Sequence, residues 1–251
     1  MKDSIQKVSI VGYGNVGSHL ANVFRLNGVE VSEILVRESN TNNDFHFITD
    51  FEQLAPHQLV IVCVPDDQIA NVLNVIPQSC PVAYTSGATN LTSVPKREHL
   101  GVFYPLQSFT KGVDVLFSEV PLFIEGTTKK FEQQLFDLAK RISRNVKYAN
   151  SEERMKLHVA AVLVNNFTNH LFHLSKTYLD GQSLHFDDLK PLIAETIRKI
   201  EHESPYNAQT GPARRGDVKT INQHLELLTG IEREIYALIT KSIQKTYSKN
   251  D

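Results

Sequence analysis

Residues Gly12-Tyr13-Gly14-Asn15-Val16-Gly17 have the spacing G-x-G-x-x-G. The run Lys7 to Val11 before them is short, apolar and β-branched. Ser18 to Asn27 after them has a helical pattern, with Leu20, Ala21, Val23 and Phe24 as its apolar residues. Strand, glycine turn and helix in this order can cradle a pyrophosphate. The first glycine permits the tight turn, the second lets the main chain approach phosphate oxygens, and the third lets helix and strand close on each other. Free N–H groups and the positive end of the helix dipole then face the anion. The chemistry implied is dinucleotide binding. A glycine turn that serves packing alone is the weaker reading, because the flanking strand and helix are both present.

The end of the next strand selects between dinucleotides. An acidic residue about 20 positions after the last glycine binds the ribose 2′-hydroxyl of NAD, and an arginine there accommodates the 2′-phosphate of NADP. That position is Arg37, followed by Glu38 and Ser39. A guanidinium fork suits phosphate, so the expected cofactor is NADP, with Ser39 as a further hydrogen-bonding group. The competing reading is a solvated surface arginine. Val64-Pro65 and Ser86-Gly87 each follow an apolar run. Ligands of open parallel sheets bind beyond the carboxyl ends of strands, so both pairs are expected at the ribose and nicotinamide. Ordinary strand-to-helix turn chemistry is the alternative for each.

A second group of residues could move a proton. On a helix beginning near Ser151, at 100° per residue, His158, Asn165 and Asn169 fall within about 40° of one another. Lys176 is close by, while Leu163, Phe167, Leu171 and Leu174 take the opposite face. Val162 and Phe172 interrupt the polar stripe. Hydride transfer needs a proton donor or acceptor, which histidine can supply, and asparagine can hold a substrate oxygen. A structural interface histidine is the competing reading. Tyr104, placed after a strand, could line the same cleft. Arg214 and Arg215, beside a glycine-containing turn, could hold a carboxylate or phosphate; Arg215 is the expected substrate anchor. Asp217 is a helix cap, and Cys63 in an apolar run is a core residue. The histidine spacings suggest no metal site.

These residues need elements to position them. Short apolar runs at Val29–Val36, 59–64, 81–85, 101–104, 121–125 and 145–148 read as strands, and Ile69–Ile76 and 129–143 as helices. Alternation of this kind predicts a parallel sheet. After Ser151, taken as an N-cap, no strand is evident. Helices are expected to about Leu179, over 188–203, from Asp217 to Leu228, and from a Thr229–Glu232 capping box to Tyr247. The expected fold class is α/β: a doubly wound, mostly parallel Rossmann sheet followed by an all-α C-terminal domain. The expected domains are 1–150 for the dinucleotide and 151–251 for substrate and dimerisation.

Composition limits the alternatives. The 251 residues contain 26 Lys and Arg against 28 Asp and Glu, a formal charge of −2. A nucleic-acid binder would show a basic surplus. Cys63 and Cys80 cannot form a disulfide framework. The opening MKDSIQKVSIVGYGNVG lacks a signal-peptide pattern, and no apolar run reaches about 18 residues. A cytoplasmic protein without membrane or nucleic-acid partners is expected.

The chain resembles bacterial proteins that join a Rossmann-like NADP-binding domain to a helical C-terminal domain of unknown function. Pyrroline-5-carboxylate reductase and the deazaflavin-dependent NADP oxidoreductases are their relatives. The resemblance lies in IVGYGNVGSHLA at 10–21, VCVPDDQI at 62–69, TSGA at 85–88, FYPLQSFT at 103–110, HVAAVLVNNF at 158–167 and TGPARRGD at 210–217. It implies an NADP-linked oxidoreductase that is a homodimer through its helical domain. It favours Asn166 over Asn165 as the partner of His158, on the first long helix of the second domain. A longer insert at 104–110 separates the chain from true pyrroline-5-carboxylate reductases. The function expected is reduction or oxidation of a small anionic carbonyl, imine or hydroxyacid. The alternative is a non-catalytic NADP(H)-binding redox sensor.

Overall fold

The computed structural model describes residues 4–38, 44–56 and 58–248; Ser39 lies outside them. The chain divides into two compact units, Met1–Asn166 and Phe167–Asp251. The division falls beyond the change of character near residue 150, because the helix that starts at Ser151 begins within the first unit.

The first unit contains β1 (Lys7–Val11), α1 (Asn15–Leu26), β2 (Glu30–Leu35), β3 (Phe47–Ile48), β4 (Leu59–Val62), α2 (Ile69–Val75) and β5 (Val82–Tyr84). β6 (Leu100–Pro105), β7 (Leu122–Gly126), α3 (Lys129–Lys140), β8 (Val146–Tyr148) and α4 (Ser151–Ala161) follow. The eight strands form one sheet ordered β3-β2-β1-β4-β5-β6-β7-β8. Every neighbouring pair is parallel except β6 and β7. The two-residue β3 has no counterpart in the sequence pattern, which is too short there to show a period. Tyr104 and Pro105 belong to β6 itself and do not follow it, because both pair with β7.

The apolar alternation of the strands feeds two cores. Ile10, Ile61, Phe103 and Ile124 pack with Leu20 and Phe24 of α1 and Phe131 and Leu135 of α3. Val11, Val60, Val62 and Tyr84 pack on the other face with Ile69 and Leu73 of α2. Burial on both faces explains why β4 is apolar throughout. Each large side chain so buried contributes about 1.5–3 kcal/mol. These layers hold the carboxyl ends of β1, β4, β5 and β6 as a fixed platform.

Three local expectations are corrected. Asn150, and not Ser151, caps α4: its side chain accepts from the Glu153 N–H at 3.0 Å, and Glu153 accepts from the Asn150 N–H at 2.9 Å. The Ser151 hydroxyl instead donates to Glu125. Thr229 precedes α10 (Gly230–Tyr247) but makes no side-chain capping bond. Lastly, α4 passes into a π turn over Val162–Phe167 before α5 (Thr168–Asp180). Its i→i+5 bonds break the 100° period on which the His-Asn stripe was drawn. Leu163 and Phe167, assigned to an apolar face, are 55% and 56% exposed.

The second unit contains α5, α6 (Lys190–His202), α7 (Pro205–Ala208), α8 (Pro212–Arg215), α9 (Val218–Leu227) and α10. Asp217 caps α9 as expected, accepting from the Thr220 N–H at 3.1 Å. Among its described residues only Ala213, Ile221 and Thr240 are buried. No helix among the described residues is long and apolar enough to cross a membrane.

Candidate functional site

β1 and β4 are sheet neighbours whose connections leave in opposite directions, so their carboxyl ends open a crevice at the point where strand order reverses. The glycine turn fills one side of it. Gly12 has φ +97°, and a Cβ there would overlap the Cys63 carbonyl oxygen and sit 3.4 Å from Val64 Cγ1. A Cβ on Gly17 would overlap the Gly12 carbonyl oxygen and sit 3.3 Å from Cys63 Cβ. Packing therefore demands both glycines. Gly14 differs: a Cβ there would meet nothing within 4 Å. The described residues leave that volume open in front of the first turn of α1, where a helix offers main-chain N–H groups without intrahelical partners.

The remaining cofactor candidates surround this turn. The Tyr13 ring packs edge-on against Phe47, centroids 5.0 Å apart, which ties the turn to β3. The Asn15 side chain accepts from the Lys111 N–H at 3.1 Å. Val16 is half-buried against the core. Arg37 is exposed just beyond β2, and Val64 and Pro65 follow β4 with Pro65 exposed. Burial pushes the Cys63 thiol up to about 12, opposed by a hydrogen bond with Thr85. Such a thiol stays protonated and acts as core.

The Ser86–Thr89 loop after β5 is held tightly. The Ser86 hydroxyl accepts from the N–H groups of Ala88 and Thr89, at 3.1 and 2.8 Å. That is ordinary turn chemistry. Tyr104 reaches over the loop from β6, and its hydroxyl lies 3.2 Å from Nδ1 of His158. Both rings press on Gly87: a Cβ there would lie 2.6 Å from Tyr104 Cζ and 2.9 Å from His158 Nδ1. Burial, chiefly, raises the Tyr104 pKa; nearby Arg154 opposes this and Asp66 adds to it. Its hydroxyl is thus protonated near neutrality and can donate to Nδ1 when that nitrogen is bare.

Behind this pair is a buried ion pair that the sequence did not reveal. Arg154 lies one turn before His158 on the same face of α4, and its side chain is 1% exposed. It pairs with Glu125 of β7 and donates to the carbonyls of Ser86 and Thr89. Ser151 completes the cluster, its hydroxyl 2.8 Å from Glu125 Oε2. A histidine preceded by an arginine four residues earlier was the available signal. Beside two glutamates, Arg154 reads instead as part of a solvated first turn.

Tyr104, His158 and Gly87 are thus brought together, as are Gly12, Gly17 and Val64. Asn165 and Asn166 lie on the π turn and are exposed. Arg215 belongs to the second unit and is exposed, 3.9 Å from Asp217. Neighbouring Arg214 is committed to the carbonyls of Asn207 and Gln209. Among the described residues no cluster of His, Cys, Asp or Glu could hold a metal ion.

The strand order and the glycine turn at its reversal point define the Rossmann class of dinucleotide-fold proteins. The model of a domain of unknown function, DUF2520, matches residues 120–243. A Bacteroides fragilis protein provisionally designated an NADP oxidoreductase is 32% identical. The match covers 96% of this chain and 98% of that one, with a TM-score of 0.86. The chain belongs to this family of Rossmann-like proteins with a helical DUF2520 C-terminal part. A Thermotoga maritima protein is 22% identical, with 96% and 98% covered and a TM-score of 0.74. The NADP-bound pyrroline carboxylate reductase of Plasmodium falciparum is 12% identical, with 95% and 99% covered and a TM-score of 0.60. These last two show the fold alone. Comparison with curated proteins found no match.

Proposed function

We propose that the chain is an NADP(H)-dependent oxidoreductase acting on a small anionic carbonyl, imine or hydroxyacid. The observation that carries this reading is the open volume at Gly14, beside two glycines that packing requires. Among the described residues nothing comes within 4 Å of a Cβ placed there, and the position lies against the first turn of a helix, where anions are stabilised. The names of the relatives support a nicotinamide cofactor. Arg37, exposed beyond β2, supports the 2′-phosphate form.

The nicotinamide would supply or accept the hydride; the chain must move the matching proton. Tyr104 and His158 suit that task, since a donor and an acceptor are paired at 3.2 Å. Asn166, with Asn165 beside it, is assigned to orient the substrate's polar atom. Val64, Pro65, Ser86 and Gly87 are assigned to the cofactor, as the strand ends that flank the crevice.

The test is calorimetry with NADPH and NADH. Wild-type protein is expected to bind NADPH tighter than NADH by about tenfold or more, which is about 1.4 kcal/mol. Arg37→Asp is expected to remove that preference. Gly14→Ala is expected to keep the wild-type melting temperature, because its methyl meets only open space, and to lose NADPH affinity. Absence of heat with either coenzyme on folded wild-type protein would refute the reading.

The helical unit is assigned to a homodimer. Leu192, Ile197, Val218, Leu227, Ile231 and Leu238 are all exposed on it. A helical unit with so few buried residues lacks the core that independent folding needs. A second copy of the same unit can supply the missing cover. Light scattering is expected to give twice the 28.3 kDa chain mass; a monomer at micromolar concentration would exclude the assignment.

A further inference from the structure

The connection between β6 and β7 is fastened across the start of α1 by contacts that the function above does not use. The Lys111 N–H donates to the Asn15 side chain at 3.1 Å. His19 spans two carbonyl oxygens, with Nδ1 at 2.7 Å from that of Asn15 and Nε2 at 2.8 Å from that of Val113. The His19 ring also leans on Phe109, centroids 4.9 Å apart. The strap is thereby fixed at both sides of Lys111.

Lys111 itself is turned to the glycine turn. Its Nζ lies 3.4 Å from the carbonyl oxygen of Tyr13 and 4.7 Å from the centre of the Tyr13 ring. Tyr13 stands between the first two glycines of the motif. Among the described residues no carboxylate pairs with this ammonium; other lysines, such as Lys7, Lys129 and Lys156, have one. A carbonyl and an aromatic face hold the cation in place without neutralising it. The volume left open at Gly14 is the next residue along.

We propose that Lys111 is a phosphate-binding residue of the nucleotide site, contributed by the strap and directed at the pyrophosphate. The proposal rests on the nucleotide reading of the glycine turn. It adds a point charge to a cradle otherwise built of main-chain N–H groups. Lysine is suited to this, since its compact ammonium binds phosphate without a fixed fork geometry. The strap's bonds to Asn15 and His19 keep the cation at the turn before the ligand arrives, so little ordering is needed on binding.

The experiment is calorimetric titration of wild type, Lys111→Ala and Lys111→Arg with NADPH and with NADH, at low and high KCl. Circular dichroism and melting check the fold of each. Lys111→Ala is expected to lose about tenfold to a hundredfold in affinity for both coenzymes. Lys111→Arg is expected to retain most of it. The wild-type affinity is expected to fall more steeply with salt than that of Lys111→Ala. Wild-type affinity in the alanine variant would overturn the proposal. So would a loss that arginine fails to restore, or a loss confined to NADPH, which would move the contact to the 2′-phosphate. A folded wild type that binds neither coenzyme would instead refute the nucleotide reading beneath it.

Discussion

Arg154→Met is expected to destabilise the first unit by about 3–5 kcal/mol, the cost of removing one partner of a buried ion pair. The guanidinium is 1% exposed, and the Glu125 side chain that it faces is 15% exposed. Methionine fills much of the volume but leaves that carboxylate with the Ser151 hydroxyl and N–H as its remaining donors. The Ser86 carbonyl loses the Arg154 donor in the same step, and the Thr89 carbonyl is left with the Tyr84 hydroxyl at 3.2 Å. Glu125 keeps some access to water, which places the effect toward the lower end of the range. Chemical denaturation of the two proteins measures it. A difference under about 1 kcal/mol, the value of exposed pairs, would mean that the cluster does not hold the loop.

His158→Ala is expected to lower turnover by about 10²–10⁴-fold, the usual contribution of a positioned acid or base. NADPH affinity is expected to stay near that of wild type, because the His158 side chain pairs with the Tyr104 hydroxyl and the substitution leaves the glycine turn and the Gly87 main chain in place. NADPH oxidation with a panel of 2-oxoacids, imines and hydroxyacids provides the assay. Tyr104→Phe removes only the hydroxyl and separates donor from acceptor. Wild-type turnover in His158→Ala would remove the histidine from the chemistry. If wild type oxidises NADPH with no member of the panel, the redox-sensing reading gains.

The sheet was readable where side chains report directly on backbone needs. β1, the glycine turn and α1 follow from Gly12 and Gly17, whose missing Cβ atoms packing requires. β4 follows from its continuous apolar run, since both of its faces are buried. Elsewhere the deciding energies are tertiary. Ser151 and Asn150 are both good capping residues, and the choice between them is made by Glu125, which is distant in sequence. The π turn at Val162–Phe167 leaves no compositional mark, so the helical wheel ran through it unchanged. Lys111 carries no signal in the sequence because its connection has no period, and its meaning comes from α1, to which it is bonded. Tyr104 and His158 were each readable as candidates, whereas their meeting over Gly87 is a property of the assembled sheet.

Arg154 and His158 stand one turn apart on a single α-helical stretch, and each is gripped from a different side, Arg154 by Glu125 and the Ser86–Thr89 carbonyls and His158 by Tyr104. A residue inserted between the two would rotate one against the other by about 100°, so the ion pair and the tyrosine contact could no longer both be kept.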